Sequence, residues 1–381
     1  MNAAYILDER RLERNLRLLQ SVRERTGIKL LLALKAYALW KTFPLFADTI
    51  DGMAASGLWE ARLASMGAPM QPRPNEEEFI VSTFSPAFED ATFDEVCRYS
   101  SHIVFNSLNQ YERFHKRAGR QSIGLRINPH YSEIDCALYD PVAPGTRLGV
   151  SETQLPEVLP HDVEGLHFHC LCENGAETLV KVLESVEQCY SQWLDQVAWL
   201  NMGGGHLMTR EGYNIELLVG TLAEFQMRHP HLQLLMEPGA AFVWDTGTLT
   251  AEVEDIVEDG GVKTAVLNVS IACHMPDCLE MPYLPRIAGA ETVDEKVAGE
   301  PCVYRLGGNS CLSGDFMGLW RFEHPLKVGD TVEFADMIHY TTVKTTMFNG
   351  MQHPDILLRH KDGRLEALRS FGFDDYKRRM D

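Results

Sequence analysis

The chain has 381 residues, of which 35 are Lys or Arg and 54 are Asp or Glu, so its formal net charge is −19. A nucleic-acid binder needs clustered basic side chains for its phosphate contacts, so this balance argues against a polyanion as partner. The same excess of carboxylates would attract a cationic small molecule and raise its rate of encounter.

The composition also bears on the cellular compartment. No apolar run approaches the roughly 20 residues of a membrane span, and the opening residues lack a basic region followed by an apolar core. The nine cysteines follow no regular framework, which in a chain of this size indicates reduced thiols rather than disulfides. We expect a cytoplasmic protein.

Eight short apolar runs follow one another along the first part of the chain, and most gaps between them are amphipathic. The predicted strands lie at 29–37, 49–56, 78–84, 101–106, 122–129, 163–170, 197–204 and 231–239. Residues 177–194 and 214–229 carry apolar side chains at helical spacing. Eight strand and helix units over about 220 residues fit a (β/α)8 TIM barrel. We place this α/β barrel at residues 11–244.

The alternation with helices stops after the eighth run. Residues 247–270 read as two strands around an Asp-Gly-Gly turn, and residues 326–343 are again strand-rich around a Val-Gly-Asp turn. A barrel that eight strands have closed offers no open edge to a ninth strand, so the opening segment AYILD should pair with the strands after residue 245. We predict a mainly β domain of residues 245–381 together with residues 1–10.

A lysine stands at the carboxyl end of the first predicted strand, where TIM barrels hold their catalytic groups. Lys35 is surrounded in sequence by Leu32, Leu34 and Tyr37. An ammonium in apolar surroundings is costly unless it is paired or neutralised. Lys35 is therefore either a Schiff-base lysine whose pKa is lowered by its pocket or a lysine whose amine reaches solvent past the strand end.

The sixth predicted strand ends in HFHCLCE. His167, His169, Cys170 and Cys172 could ligate zinc, which would make the chain a zinc-dependent barrel hydrolase. Barrels of that kind usually present His-x-His on the first strand, which here carries Lys35 instead. A second interpretation is an imidazole that stacks on an aromatic cofactor. In a third, one histidine is satisfied in the core and the other is solvated.

Three further features lie at strand ends. The seventh strand leads into the glycines Gly203, Gly204 and Gly205, whose backbone could admit a phosphate in the loop where such barrels often bind one. Glu237 ends the eighth strand and could hold a proton on a ring nitrogen, or it could pair with a barrel arginine. Arg126, at the end of the fifth strand, is the obvious partner for either purpose.

These features are more specific together than separately. A buried lysine, a stacking histidine, a glycine phosphate cradle and a carboxylate suited to a pyridinium nitrogen describe a site for pyridoxal 5′-phosphate. Zinc binding predicts a bound metal and no chromophore, whereas the Schiff base predicts a yellow protein. A cofactor-binding protein without catalytic activity, built as a single-domain barrel, would lack the β domain.

The sequence resembles the barrel-type pyridoxal phosphate enzymes, the alanine racemase and ornithine/diaminopimelate decarboxylase superfamily. Within it, the chain is similar over nearly its whole length to the carboxynorspermidine/carboxyspermidine decarboxylases. The resemblance depends on ordered segments, among them LALKAYAL, GLHFHCLCENG, LNMGGGHLMTR, MEPGAA, CHMPDCLEMPY, GGNSCLSGDFMG and HYTTVKTTMFNG. It implies an alanine racemase-like barrel of pyridoxal phosphate fold type III with a C-terminal β domain.

The resemblance also implies roles for individual residues. Lys35 would form the Schiff base, His169 would stack on the ring and Glu237 would bond the ring nitrogen, while the three glycines would hold the phosphate. In this superfamily the active sites are shared across a homodimer. The remaining residues expected at the shared site are Cys311 and Asp315 from the partner subunit, Tyr340 from the same subunit, and Asp277 and Glu280 as substrate-binding acids.

The implied activity is decarboxylation of carboxynorspermidine or carboxyspermidine to norspermidine or spermidine, with Cys311 controlling protonation after carbon dioxide leaves. Decarboxylation of diaminopimelate or a basic amino acid, or racemisation, would begin with the same Schiff base. The sequence departs from many relatives at Ala240, where a charged residue is common, and at Gly-Asn-Ser before Cys311.

Overall fold

The computed structural model describes residues 2–67, 79–134 and 136–381 of the chain. They form two compact units, one of Asn15–Phe242 and one of Met1–Arg14 with Val243–Asp381. The sequence predicts the two domain boundaries between residues 10 and 11 and between residues 244 and 245. In the structure both boundaries lie inside helices.

The first unit contains eight parallel strands that close into a barrel, each paired with its neighbours in chain order. The predicted TIM barrel is confirmed, although its strands are shorter than the apolar runs suggested; Glu78, the first residue of the third run, lies outside the described residues. The barrel strands are β2 (Lys29–Ala33), β3 (Gly52–Ala55), β4 (Ile80–Ser85), β5 (His102–Phe105), β6 (Ser122–Arg126), β7 (Val163–His167), β8 (Trp199–Asn201) and β9 (Gln233–Met236).

Helices follow most of these strands, as the amphipathic gaps predicted. In α5 the residues Leu179, Val182, Val186 and Tyr190 are all fully buried, so the apolar face faces the interior. The helices of this part of the chain are α1 (Glu9–Thr26), α2 (Leu58–Gly67), α3 (Phe93–Tyr99), α4 (Leu108–Ala118), α5 (Ala176–Leu194), α6 (Ile215–Arg228) and α7 (Ala240–Val243), with 3-10 turns at Trp40–Phe46 and Glu152–Gln154.

Trp199 fills part of the barrel interior. It packs in one buried cluster with Leu31, Val104 and Leu235, and its indole N–H donates to Ser122 Oγ at 2.8 Å. The neighbouring strands make room for the ring with glycines: a Cβ added to Gly124 or Gly165 would lie 2.3 or 2.0 Å from ring atoms of Trp199. The size of one side chain thus fixes the residue type on two strands.

The second unit is a nine-stranded sheet in the order β12, β14, β13, β11, β10, β1, β16, β17, with β15 paired to β10. The opening segment, β1, pairs antiparallel with β10 and parallel with β16, as predicted for AYILD. Its strands are β1 (Ala4–Asp8), β10 (Gly247–Asp259), β11 (Val262–Leu267), β12 (Ala290–Thr292), β13 (Val303–Gly307), β14 (Phe316–Phe322), β15 (Thr331–Ala335), β16 (Asp355–Arg359) and β17 (Leu365–Arg369).

Short helices lie between these strands. The segment 326–343, predicted to be strand-rich, forms only β15 and then turns into α10, because Asp336 adopts a left-handed backbone (φ 62°) directly after the strand. The helices are α8 (Ile271–His274), α9 (Pro276–Glu280), α10 (Thr341–Lys344) and α11 (Phe373–Met380), with 3-10 turns at Glu295–Val297 and Phe348–Gly350. None of the helices in the described residues is long and apolar enough to cross a membrane.

Gly165→Ala should destabilise the protein by about 1–3 kcal/mol, because the added methyl group overlaps the Trp199 ring. Urea denaturation measures the change. Gly220→Ala is the matched control: Gly220 lies inside α6 with no atom within 4 Å of an added Cβ, so this variant should gain about 0.5–1 kcal/mol. Equal midpoints for the two variants would contradict the packing described here.

Candidate active site

Four residues predicted from strand ends meet at the carboxyl end of the barrel. The Lys35 amine lies 3.0 Å from Nε2 of His169, and Nδ1 of the same ring accepts a hydrogen bond from the Gly204 N–H at 3.0 Å. A Cβ added to Gly204 would lie 2.5 Å from the carbonyl oxygen of Glu237. The structure therefore brings the first, sixth, seventh and eighth barrel strands together through these residues. Lys35 itself sits in the turn after β2, not in the strand.

The hydrogen bonds around His169 define its tautomer. A backbone N–H can only donate, so Nδ1 presents its lone pair to Gly204. A neutral imidazole then carries its proton on Nε2, and this N–H points to the Lys35 amine. An ammonium has no lone pair to accept it. The arrangement therefore requires an unprotonated lysine amine, the form that acts as a nucleophile.

The pKa shifts of Lys35 and His169 both go in the direction that weakens protonation. Burial lowers the pKa of Lys35, and the charge of Arg126 lowers it further against the opposing effect of Glu237. Burial also holds the pKa of His169 well below its ordinary value, with the charge of Arg126 acting in the same direction. A positive charge on either side chain is thus disfavoured in this pocket.

Glu237 is a carboxylate with three polar neighbours. Its Oε1 accepts from Asn201 Nδ2 at 2.7 Å and from Ser82 Oγ at 3.3 Å, and its Oε2 lies 3.5 Å from His167 Nε2. Burial alone would raise the pKa of Glu237, but the contacts with His167 and Asn201 outweigh it, so the pKa is lowered. The side chain is only 14% exposed and remains ionised.

Arg126, at the end of β6, is buried and in contact with both an aromatic ring and the backbone. Its guanidinium lies 4.6 Å from the centre of the Phe84 ring and donates to the carbonyl oxygen of His169 at 3.0 Å. Burial lowers the pKa of Arg126 to about 10. Arg126 therefore fixes the backbone at His169 and adds a positive charge near Lys35.

The glycine triplet packs closely against the neighbouring backbone. Gly203 and Gly205 have left-handed φ values of 63° and 89°, and a Cβ at either would lie 2.4 or 2.0 Å from a carbonyl oxygen. The N–H groups of Gly203 and Gly204 donate to Asn201 Oδ1 and His169 Nδ1. A phosphate contact through these amides would have to come from Gly205 or replace one of those bonds, so the phosphate role stays a prediction.

The zinc alternative lacks a ligand set. Within the part of the chain that the structure describes, no group of three or more His, Cys, Asp or Glu side chains could hold a metal ion. His167 lies 3.5 Å from Glu237, whereas Cys170 is buried and the pKa of its thiol is raised by burial to about 12. His169 lies 3.0 Å from the Lys35 amine.

The sheet unit contains the remaining predicted residues. The Cys311 thiol is exposed and donates to Oδ1 of Asn349 at 3.2 Å. Asp315 is buried, and its carboxylate accepts from the Ala272 N–H at 2.9 Å and from the Ser310 hydroxyl at 2.6 Å. Asp315 thus fixes the loop that carries Cys311. Its predicted contact with a substrate stays a prediction.

Two other predicted acids also have partners within this unit. Asp277 is buried, and its Oδ2 accepts from the hydroxyls of Tyr283 and Thr341, each at 2.9 Å. Glu280 forms an ion pair with Lys344. These bonds join α9 to α10, the helix that begins directly after Tyr340. A substrate-binding role for Asp277, Glu280 or Tyr340 stays a prediction.

Three residues of the site were missed in the sequence. Asn201, which orients both Glu237 and Gly203, is the last residue of β8 and follows the same strand-end rule that identified the others. Ser82 lies inside β4 and carries no distinguishing signal in the sequence. Asn349 is separated from Cys311 by 38 residues, so only folding shows that they meet.

Comparison with known proteins gives consistent matches. The family described as pyridoxal-dependent decarboxylase, C-terminal sheet domain, matches residues 4–338. The chain is 43% identical to carboxyaminopropylagmatine decarboxylase from Synechocystis sp., over 99% of this chain and 94% of that one. It is 38% identical to carboxynorspermidine/carboxyspermidine decarboxylase from Campylobacter jejuni, over 99% and 97%.

A solved structure extends this likeness to the fold. The crystal structure of carboxynorspermidine decarboxylase from Campylobacter jejuni complexed with norspermidine superposes with a TM-score of 0.89, at 37% identity and with all of both chains covered.

The Lys35 amine should titrate below the ordinary lysine pKa of 10.5, because burial and Arg126 disfavour the ammonium. Competitive acetylation of the protein freed of cofactor by hydroxylamine, followed by peptide mass spectrometry across pH, measures the midpoint. Glu237→Gln removes a charge that raises this pKa and should move the midpoint further down, whereas Arg126→Gln should move it up. A wild-type midpoint at or above 10.5 would contradict the pocket electrostatics.

Proposed function

The chain belongs to the pyridoxal-dependent decarboxylases, and from that premise we propose that it decarboxylates carboxynorspermidine or carboxyspermidine to norspermidine or spermidine. The cofactor is pyridoxal 5′-phosphate, and the enzyme is a carboxy-lyase. Racemisation and zinc-dependent hydrolysis are wrong interpretations of the strand-end residues, since the family is one of pyridoxal-dependent decarboxylases.

One observation carries the choice of substrate. The relatives that match nearly the full length of this chain at 37–43% identity bear names that describe decarboxylation of a carboxylated polyamine. A solved relative at 37% identity was complexed with norspermidine. The net charge of −19 agrees with a polycationic substrate, because surplus carboxylates favour its encounter with the protein.

The residues of the barrel fit the cofactor. Lys35 would form the Schiff base, His169 would lie against the ring and Glu237 would hold the proton of the ring nitrogen. The three glycines would hold the phosphate, and Arg126 would add its positive charge near Lys35. When bound, the cofactor supplies a conjugated pyridinium that accepts the electron pair left by carbon dioxide. The test of fit is chemical: the pocket combines an amine held unprotonated with a carboxylate held ionised.

Each of these residues has a separate task in the reaction. The unprotonated Lys35 amine can attack a carbonyl carbon without first losing a proton. The Glu237 carboxylate, anchored by Asn201 and Ser82, keeps a ring nitrogen protonated, which preserves its capacity to take up electrons. His169 is fixed on both ring nitrogens and so presents a stationary face.

Cys311 completes the proposed chemistry as the donor of the proton that replaces carbon dioxide. We place it in the site of a partner subunit, so that the active unit is a homodimer. Two features support this assignment: the thiol is exposed on its own chain, and exposed apolar side chains of the same unit, Leu312, Phe316 and Phe348, lie near it in sequence or beside its hydrogen-bond partner. Large apolar side chains on a surface are typical of protein interfaces.

The far end of the substrate has two candidates. All the near relatives named above act on a carboxylated aminopropyl chain, but the Synechocystis relative, at 43% identity, acts on carboxyaminopropylagmatine, which ends in a guanidinium group. That identity makes carboxyaminopropylagmatine the second candidate. The acids Asp277, Glu280 and Asp315 remain the proposed ligands of the distal cation. The nine free thiols suit a reducing compartment, in keeping with the proposed cytoplasmic location.

Carbon dioxide release by the holoenzyme should be fastest, by kcat/KM, with carboxynorspermidine or carboxyspermidine, and at least about 100-fold slower with diaminopimelate or ornithine, which leave the groups for a distal amine unpaired. The assay compares these four compounds with carboxyaminopropylagmatine. A preference for carboxyaminopropylagmatine would establish the second candidate. A preference for diaminopimelate or ornithine would contradict the proposal that the substrate is a carboxylated polyamine.

Lys35→Ala and Cys311→Ala should each lose most of their activity alone and should recover about a quarter of the wild-type activity when mixed. Random exchange makes about half of the dimers mixed, and each of these carries one intact site of two. Mixing Lys35→Ala with Glu237→Gln is the control. Both substitutions lie in the barrel, so every site of a mixed dimer still contains one of them. Mixed dimers shown by mass spectrometry but inactive would refute shared sites.

A further inference from the structure

A single amide oxygen receives two hydrogen bonds from Cys311. Oδ1 of Asn349 accepts from the backbone N–H of Cys311 at 3.2 Å and from its thiol at 3.2 Å. A side-chain amide oxygen is only an acceptor, so the thiol must present its hydrogen in this direction. The two bonds fix both the backbone of Cys311 and the orientation of its S–H group.

Asn349 has a backbone conformation that few residue types adopt. It lies in the turn Phe348–Gly350 with φ 59° and ψ 14°, in the left-handed region. Asn tolerates this region better than most residues with a side chain, because its short polar group can bond locally. Glycine would fit the turn without strain, but it would supply no oxygen to Cys311.

The loops that carry Cys311 and Asn349 are attached to the same short helix, α8. The Ala272 N–H donates to the carboxylate of Asp315 at 2.9 Å, which fixes the Cys311 loop. Cys273 accepts from the Thr346 N–H at 2.9 Å through its carbonyl oxygen, and its thiol donates to the carbonyl of Phe348 at 3.8 Å. One helix therefore sets the separation between the thiol and the amide oxygen.

We propose that Asn349 is a positioning residue that orients the Cys311 thiol for proton delivery. The inference rests on the proposed function, in which Cys311 gives its proton to the carbon that has lost carbon dioxide. Asn349 holds the sulfur in place until the S–H turns about the Cβ–Sγ bond towards the carbon. The proton then leaves Sγ, a C–H bond forms on that carbon, and the thiolate regains a proton from water. Asn349 touches none of the reacting atoms and acts only through Cys311.

The first measurement compares two substitutions in the holoenzyme. Asn349→Gly keeps the left-handed backbone and removes the amide oxygen, so kcat should fall about 10- to 100-fold while KM changes less than about 2-fold. Asn349→Asp tolerates the same backbone and keeps an acceptor oxygen in place, so it should recover most of kcat. An Asn349→Asp enzyme as slow as Asn349→Gly would contradict the role of the oxygen.

The second measurement is a double-mutant cycle with Cys311→Ala. If Asn349 acts through the thiol, adding Asn349→Gly to Cys311→Ala should not lower the residual kcat further. Cys302→Gly is the matched control, a second left-handed residue of the same unit (φ 65°), and should keep wild-type turnover. A similar loss in Cys302→Gly, or full additivity in the cycle, would overturn the inference.

The role of Cys311 and the role of Asn349 are refuted by different results. Unchanged turnover in Cys311→Ala would refute the proposed role of Cys311 and the role of Asn349 with it. A large loss in Cys311→Ala together with unchanged turnover in Asn349→Gly would refute the role of Asn349 alone.

Discussion

The chemistry of the barrel depends on one chain of hydrogen bonds, from the Gly204 N–H through the ring of His169 to the amine of Lys35. The direction of this chain follows from its first member, because a peptide N–H cannot accept a proton. His169 must therefore donate its own proton to Lys35, and the Lys35 amine must accept it. A lysine, which in water would be an ammonium, is thereby held as a neutral nucleophile.

The charged side chains near Lys35 act on its pKa in opposite directions. Arg126 and Glu237 lie near Lys35 with opposite effects on its pKa, and burial is the larger influence. Glu237 keeps its charge because Asn201 and Ser82 donate to it. The pocket therefore contains a neutral amine and an ionised carboxylate side by side, a separation of protonation states that water would not give.

In the sheet unit, too, hydrogen bonds fix the surroundings of one reactive side chain. A buried carboxylate, Asp315, and a side-chain amide, Asn349, each accept several hydrogen bonds and so define the loop around an exposed thiol. The near relatives are named as decarboxylases of carboxylated polyamines, and in the reaction proposed for this chain carbon dioxide is lost and a proton from the exposed thiol takes its place. The names of the relatives differ at the far end of the substrate, for which Asp277 and Glu280 are the proposed ligands.

The sequence by itself determined the barrel, since eight apolar runs separated by amphipathic helices have few other folds, and it located Lys35, His169, Gly204 and Glu237 through the rule that catalytic groups follow barrel strands. It also determined that AYILD joins the sheet. It did not determine the hydrogen-bond partners of these side chains. The bonds from Gly204 to His169, from Asn201 to Glu237 and from Cys311 to Asn349 join residues that are 35, 36 and 38 positions apart in the chain. Only the tertiary structure decided these contacts, because hydrogen bonds depend on distance and direction between atoms that sequence spacing does not encode.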